Sequence, residues 1–450
     1  MGEGQGKCRI GRYGPQKKDE RGGKSQACCH CKGTLEKGTV SGQESALKES
    51  SEVKLACGTE FRYKQLPLPN SPLKKETGMA ADTVTPSKIR WGILGTAEIA
   101  RKNWKAIQLS GNSTVAAVAS RDIERSRRFV VECQTEAPME VVPDTFGSYE
   151  ELLACEEVDA IYMPLPTAIR KQWVVRAADA GKHVVCEKPC ATSVGDLEEM
   201  LAACRHNGVQ FMDGVMFTHS RRAESLRKIL DEGESVGRLR RIVSAFSFSG
   251  STEFQATNIR MHSELEPDGC VGDLGWYCIR LTLWVMNWQM PVEVSGRILS
   301  QGSSDQSPGA VPTEFSGELL FANGVSAGFY CSFVTELQQW AIIGGLLGYV
   351  DIADFVLPFA GRELTFEIRK SAFQTRGCDF RMQTDARTIV VPEWSHGHAT
   401  AQEANCFRNF AEQTRSGHLN DTWPEAALKT QRVMCACLDS ARADGRMVRL

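Results

Sequence analysis

The run CEKPCATS places Glu187, Lys188 and Pro189 directly after an apolar stretch, KHVVC. A lysine at such a place can take or give a proton if it stands beside a bound ligand. Partial burial or a neighbouring cation would lower its pKa toward neutrality, where a proton-transferring amine works best. Taken alone, the tripeptide is a surface ion pair with a proline that ends a strand. Pro189 also admits a cis peptide, which would aim Lys188 inward. A second group of titratable side chains lies in DGCVGDLGWYCIRL, where Asp273 and Tyr277 stand four positions apart. On a helix that spacing puts a carboxylate and a phenol on one face. Brought against Lys188, they form an acid/base set. Without Lys188, they read as a helix cap and an amphipathic core tyrosine.

The surrounding pattern says what must bring these residues together. From Lys88 onward, strand-like runs (KIRWGIL, STVAAVAS, VDAIYMPLP, KHVVCEKP, VQFMDGV) alternate with helical ones. AEIARKNWKAIQL, DIERSRRFVVEC, AIRKQWVVRAADAG and SVGDLEEMLAACRHNG are the helical runs. This rhythm predicts an α/β fold with a doubly wound parallel sheet over residues 79–214. In such a sheet the carboxyl ends of the strands form the ligand crevice, and Lys188 follows one of them.

The first strand-to-helix junction reads Gly95, Thr96, Ala97, Glu98, Ile99, Ala100, a G-x-A-x-x-A run. Gly95 suits a tight turn, Ala97 lets the backbone approach a pyrophosphate, and Ala100 lets helix and strand pack closely. Small residues at an ordinary α/β turn are the alternative; the strand before and the helix after favour a dinucleotide. After the second strand come Ser120, Arg121 and, a turn later, Arg125. A hydroxyl and guanidinium groups suit a 2′-phosphate, so NADP is expected over NAD. Asp122 is the counter-evidence: as a helix N-cap it is unremarkable, but it could also point to the ribose.

Residues 215–450 predict a second, α+β domain with a large, mostly antiparallel sheet. TEFSGELLFANGVSAGFYCSFV reads as two strands around Asn323-Gly324, further strand-like segments run to about Leu357, and two helices come late. Residues 1–78 show no periodicity and few long apolar side chains, which predicts a disordered extension. An alternative start at Met79 is the other reading. Cys28–Cys31 supply only half of a zinc set, so no metal is expected. The chain of 450 residues has a net charge of −2, without a basic footprint for nucleic acid or a polybasic membrane patch. Its 17 cysteines, several in apolar segments, predict reduced thiols. With no apolar leader run, the expected location is cytoplasmic, with a plastid as the alternative if the true start differs.

Together, GILGTAEIA, YMPLPT, GKHVVCEKP, GDLGWY and FANGVSAGFYCSF resemble the Gfo/Idh/MocA oxidoreductases over about residues 88–450. The likeness is greatest to the branch of glucose–fructose oxidoreductase, dimeric dihydrodiol dehydrogenase and NADP-dependent D-xylose dehydrogenase, its plant members above all. The resemblance implies a Rossmann domain, an open-sheet domain through whose exposed face many members dimerise, and NADP-dependent hydride transfer at a hydroxyl or carbonyl carbon of a sugar-like or dihydrodiol substrate. It implies that Lys188 touches the nicotinamide ribose and the substrate hydroxyl. It implies that Asp273 and Tyr277 occupy the D-x-x-x-H/Y motif, with Tyr277 carrying the proton. Glu187, Pro164, Leu165 and Thr167 would adjoin the nicotinamide. His219 and Arg260 lie in segments that relatives use to line the substrate pocket. Arg170 stands where relatives commonly have histidine; it favours an anionic substrate, weakens the usual sugar chemistry, or points to solvent. A cofactor-sensing regulator on the same fold is the alternative class, and the intact acid/base set favours the enzyme.

Overall fold

The computed structural model describes residues 87–450. The expected disordered extension over 1–78, Cys28–Cys31 included, lies outside the described residues.

The first lobe follows the alternation in the sequence. Its elements are β1 (Ile89–Leu94), α1 (Glu98–Ser110), β2 (Ser113–Ala119), α2 (Ile123–Glu136), β3 (Asp144–Phe146), α3 (Tyr149–Leu153), β4 (Ala160–Met163), α4 (Thr167–Asp179), β5 (His183–Cys186), α5 (Val194–His206) and β6 (Phe211–Asp213). The six strands are parallel, in the order β3-β2-β1-β4-β5-β6. That is the Rossmann order, and its reversal between β1 and β4 opens a crevice at the carboxyl ends of the strands. The strands are nearly continuous apolar runs because both faces are covered. Trp91 and Tyr162, for example, are fully buried.

The second lobe comprises α6 (Arg221–Glu232), β7 (Leu239–Ser249), α7 (Thr252–Thr257), α8 (Trp276–Val285), β8 (Glu293–Gly302), β9 (Val311–Leu320), β10 (Ser326–Ser332), β11 (Val334–Gln338), β12 (Ala341–Gly345), β13 (Tyr349–Ile352), β14 (Leu364–Arg376), β15 (Asp379–Val391), α9 (Gln402–Arg415), α10 (Thr422–Arg442) and β16 (Val448–Arg449). Its sheet has ten strands, running β15-β14-β13-β12-β7-β10-β9-β8-β16 with β11 against β7. Every pairing in it is antiparallel except β7 with β10. Asn323 and Gly324 turn β9 into β10 as expected, with Gly324 at φ +80. Strand structure runs well past Leu357, to Val391. Helices α8 and α10 cover one face of this sheet, burying Trp276, Phe315, Phe329 and Cys437. The other face exposes Arg241, Arg297, Ser316 and Glu318.

Two features join the lobes. Helix α9, late in the chain, packs back on the first sheet, where Phe407 and Phe410 meet Trp91 with ring centroids 5.1 and 5.3 Å away. Helix α9, from beyond residue 215, thus contributes side chains to the first core. Arg280 of α8 donates to Asp213 at the end of β6, with Nη2 2.5 Å from Oδ2 and both side chains almost fully buried. The Trp276 indole N–H donates to the same carboxylate at 3.2 Å. Removing one member of such a buried pair costs about 3–5 kcal/mol, so α8 is held firmly against the first lobe.

Candidate active site

A crevice of about 740 Å³ lies between the lobes. Ala97, Glu98 and Ile99 line it from the start of α1, Pro164 and Leu165 from the loop after β4, and Glu187 and Lys188 from the loop after β5. Gly95 and Thr96 form the turn from β1 into α1. Gly95 has φ +116, and a Cβ there would lie 3.0 Å from the Leu165 side chain. No side chain caps the amides at the start of α1. Unfilled helix N-terminal amides beside a crevice, with only an alanine methyl at Ala97, are what a dinucleotide pyrophosphate requires. These residues fit the cofactor.

At the end of β2, Ser120 is buried and its hydroxyl donates to the Asp122 carbonyl at 2.6 Å. Asp122 is an N-cap: its carboxylate accepts from the Glu124 amide at 2.9 Å. The N-cap reading of Asp122 is thus the one this geometry supports. Arg121 and Arg125 are exposed, and neither forms an ion pair among the described residues. Both act on the phenol of Tyr149, so their charges gather at this end of the sheet.

At the other end the two titratable groups of the sequence meet. Lys188 Nζ lies 2.6 Å from Asp273 Oδ1 and 2.7 Å from the Asp273 carbonyl oxygen. Asp273 Oδ2 is 2.9 Å from Arg260 Nε. Burial alone would raise the Asp273 pKa, but Arg260 and Lys188 outweigh it and hold the carboxyl well below the usual range. Lys188 Nζ also stands 4.8 Å from the centre of the Tyr277 ring. The Lys188-Pro189 peptide is cis. The helix carrying Asp273 is not regular: Val271–Gly275 form a π-helical turn ahead of α8. Gly272 sits in that turn, where a Cβ would come within 3.0 Å of the Pro189 ring, so the missing side chain lets the two loops close on each other.

Tyr277 lines the crevice, and its hydroxyl makes no hydrogen bond within the described residues. Burial pushes the phenol well above its ordinary value; Glu187 and Asp273 add to the rise and Arg260 opposes it. Glu187 faces away from Lys188 and accepts from the Tyr162 hydroxyl at 2.7 Å.

Three expected ligands sit otherwise. His219 does not line the crevice: its Nδ1 is 3.1 Å from Asn409 Nδ2 and its ring packs on Trp423. Burial lowers its pKa to about 4, so it is a neutral structural imidazole. Arg170 borders the crevice; its side chain is largely buried, and its Nε and Nη1 donate to backbone carbonyls. Most of its hydrogen-bonding capacity is turned to the protein and not to solvent. Thr167 is closed off too: its amide and hydroxyl both donate to Glu266, at 2.9 and 2.5 Å.

The structure adds groups that the sequence reading passed over. Phe246 and Phe248 wall the substrate side of the crevice. They alternate along β7, a signal that FSFSG carried. Lys102 pairs with the buried Glu403 at 2.8 Å on the flank of the crevice. No local pattern links those two, because residues 102 and 403 lie 301 positions apart in the sequence.

Residues 89–215 match the oxidoreductase family with an NAD-binding Rossmann fold, and residues 223–350 match the GFO/IDH/MocA C-terminal domain. Mouse trans-1,2-dihydrobenzene-1,2-diol dehydrogenase is 30% identical over 274 residues, 60% of this chain and 76% of its own. The D-xylose 1-dehydrogenase (NADP(+)) 2 of Haloferax volcanii is 30% identical over 278 residues, 61% of this chain and 80% of its own. Among solved structures, a 3-ketoreductase from Actinomadura kijaniata in complex with NADP and TDP-benzene superposes with a TM-score of 0.65 at 25% identity, over 79% of this chain and 98% of that one. The chain belongs to the Gfo/Idh/MocA oxidoreductase family, as its motifs indicated.

Proposed function

We propose that this chain is an NADP-dependent oxidoreductase that works at a hydroxyl or carbonyl carbon of a sugar-like or dihydrodiol substrate. The observation that carries the reading is the meeting of Lys188, Asp273, Arg260 and Tyr277 on one side of a crevice whose other side fits a dinucleotide. The relatives named above support the substrate class, and Phe246 and Phe248 supply an apolar wall for a ring face.

NADP, when bound, supplies hydride exchange at its nicotinamide. The rest is done by side chains. Asp273 pairs with both Lys188 and Arg260 and fixes both in place, leaving the trio with one net positive charge. Lys188 then presents its remaining ammonium hydrogen toward the substrate oxygen and the face of Tyr277. Tyr277, held protonated by its surroundings, donates to a carbonyl oxygen during reduction; in oxidation the same phenol must receive the hydroxyl proton after ionising.

The partner is a second copy. The ribbon of β14 and β15 projects from the sheet edge, and its register sets Phe373 opposite Met382 and Thr375 opposite Phe380. These lie on the face away from the buried Ile368, the same side as the open face of the sheet. Phe373, Phe380 and Met382 are all largely exposed, an apolar flank suited to a homodimer built on that face. The location is the cytoplasm: cysteines such as Cys186, Cys278 and Cys437 are buried free thiols that pack as small apolar side chains. No helix among the described residues is long and apolar enough to cross a membrane.

The test is nicotinamide absorbance with NADP⁺ and D-xylose, D-glucose or a trans-dihydrodiol, and with NADPH and a 3-ketosugar. Turnover on any of these, lost in Lys188→Met while NADPH still binds, is expected. Full activity of Lys188→Met would remove the site.

A further inference from the structure

We propose that Arg170 is a positioning residue for Lys188, tying together the two loops that frame the crevice. This rests on the reading of the crevice as the oxidoreductase site. Strands β4 and β5 stop pairing at Met163 and Cys186, and one more backbone bond follows, from the Glu187 amide to the Met163 carbonyl at 3.2 Å. Beyond that point the two chains diverge around the ligand, and no strand ladder holds them. Arg170, in the first turns of α4, takes over. Its Nε donates to the Leu165 carbonyl at 2.7 Å, and its Nη1 donates to the Glu187 carbonyl at 3.0 Å and to the Pro189 carbonyl.

Two of those carbonyls flank Lys188. The backbone of the lysine is therefore held on both sides, and its side chain extends toward Asp273 and the Tyr277 ring. The third carbonyl belongs to Leu165, which lines the crevice beside Gly95. One planar cation thus sets the spacing between the nicotinamide-side loop and the catalytic lysine. The task needs arginine. A guanidinium presents several donors in a rigid fork, whereas an ammonium is a single point with no fixed direction. No carboxylate pairs with Arg170 among the described residues; carbonyl dipoles solvate its Nε and Nη1. The buried donors and acceptors here would be costly to leave unmet, which makes the loops rigid only while the fork is in place.

The mechanism acts through Lys188, so the effect falls on turnover more than on cofactor binding. In Arg170→Ala, kcat is expected to fall about 10- to 100-fold, the scale of a misplacement near 1 Å, while the NADPH Kd changes less than about threefold. Because the side chain borders the crevice, millimolar guanidinium should enter the gap and restore part of kcat, whereas equal ammonium should not. Arg170→Lys should stay impaired. A readout independent of turnover is amide hydrogen exchange with NADPH bound: the Cys186–Ala191 segment should exchange faster in Arg170→Ala and return toward wild type with guanidinium. Arg170→Gln, which keeps a planar donor and much of the volume, should give an intermediate rate and serves if the alanine variant does not fold. Unchanged exchange in this segment would overturn the proposal whatever the substrate proves to be. So would an Arg170→Ala effect confined to KM for anionic substrates with kcat intact, since that would make Arg170 a substrate ligand.

Discussion

The ammonium of Lys188 stands 4.8 Å from the centre of the Tyr277 ring and 2.6 Å from Asp273 Oδ1, across 85 positions of sequence in the latter case. A cation stands against the π face with a carboxylate beside it, and the phenol oxygen is free of hydrogen bonds among the described residues, as the proton donor proposed above requires. Burial first, then Glu187 and Asp273, raise the phenol pKa well above its ordinary value. Tyr277→Phe should therefore slow reduction by about 10²–10⁴-fold with NADPH affinity unchanged. The sign with pH follows: wild-type reduction stays level through neutrality and falls only when the phenol ionises at high pH, while oxidation rises with pH. Initial rates across pH 6–10 test this (a range set by the ordinary tyrosine pKa of ~10), and a reduction rate that falls through neutrality would remove Tyr277 as the acid.

Asp273 is the one carboxylate among the described residues that ion-pairs with both Lys188 and Arg260. Its depressed pKa contributes stability above the ordinary carboxylate pKa, lost only as pH falls through the still lower folded value. Asp273→Asn leaves two cations facing each other and should cost about 3–5 kcal/mol along with turnover. A thermal unfolding midpoint equal to wild type at pH 7 would show that the pairs carry no such weight.

Arg121 and Arg125 stand exposed at the end of β2 with Asp122 already spent as an N-cap. The double variant Arg121→Ala/Arg125→Ala should weaken NADPH binding by about 10- to 100-fold, the scale of losing charge-assisted hydrogen bonds, and leave NADH nearly unaffected. Fluorescence titration of both cofactors decides it. Equal wild-type affinities for NADH and NADPH would defeat the assignment.

Asp268 is buried beneath the π-helical turn with Oδ2 unpartnered, and desolvation raises its pKa to about 7. A raised folded pKa means that its stabilising contribution is full below the ordinary carboxylate pKa and is lost as pH climbs toward 7. Asp268→Asn should therefore raise the unfolding midpoint at pH 8 and leave it nearly unchanged at pH 4, the gap reaching a few kcal/mol at most. The same gap at both values would deny the titration.

Phe380→Ser combined with Phe373→Ser removes the stacked pair on the apolar flank of the ribbon, whose ring centroids are 5.6 Å apart. Sedimentation should show wild-type dimers and variant monomers with intact NADPH binding. Dimers in both would place the interface elsewhere.

Much of the first lobe was legible because parallel strands covered on both faces must be apolar throughout, and the helices between them must be amphipathic. IRWGIL, STVAAVA and HVVC announce themselves in that way. The ribbon did not. Lys370, Arg376, Arg381 and Asp385 interrupt its apolar residues, and with neither face on a core there is no burial to impose a strong alternation. The π-helical turn was equally hidden, since VGDLG fits a regular helix until Pro189 packs against Gly272.

The sequence by itself determined the dinucleotide turn at Gly95–Ala100, the strand ends where ligands bind, and the candidates Lys188, Asp273 and Tyr277, because local spacing dictates turns, faces and residue chemistry. Only the tertiary structure decided which way the cations point. Arg260 and Lys188 converge on Asp273, while Arg170 turns to three carbonyls and His219 to Asn409. A long side chain reaches whichever acceptor the fold brings near, and acceptors distant in sequence are placed by packing, not by the pattern around the residue itself.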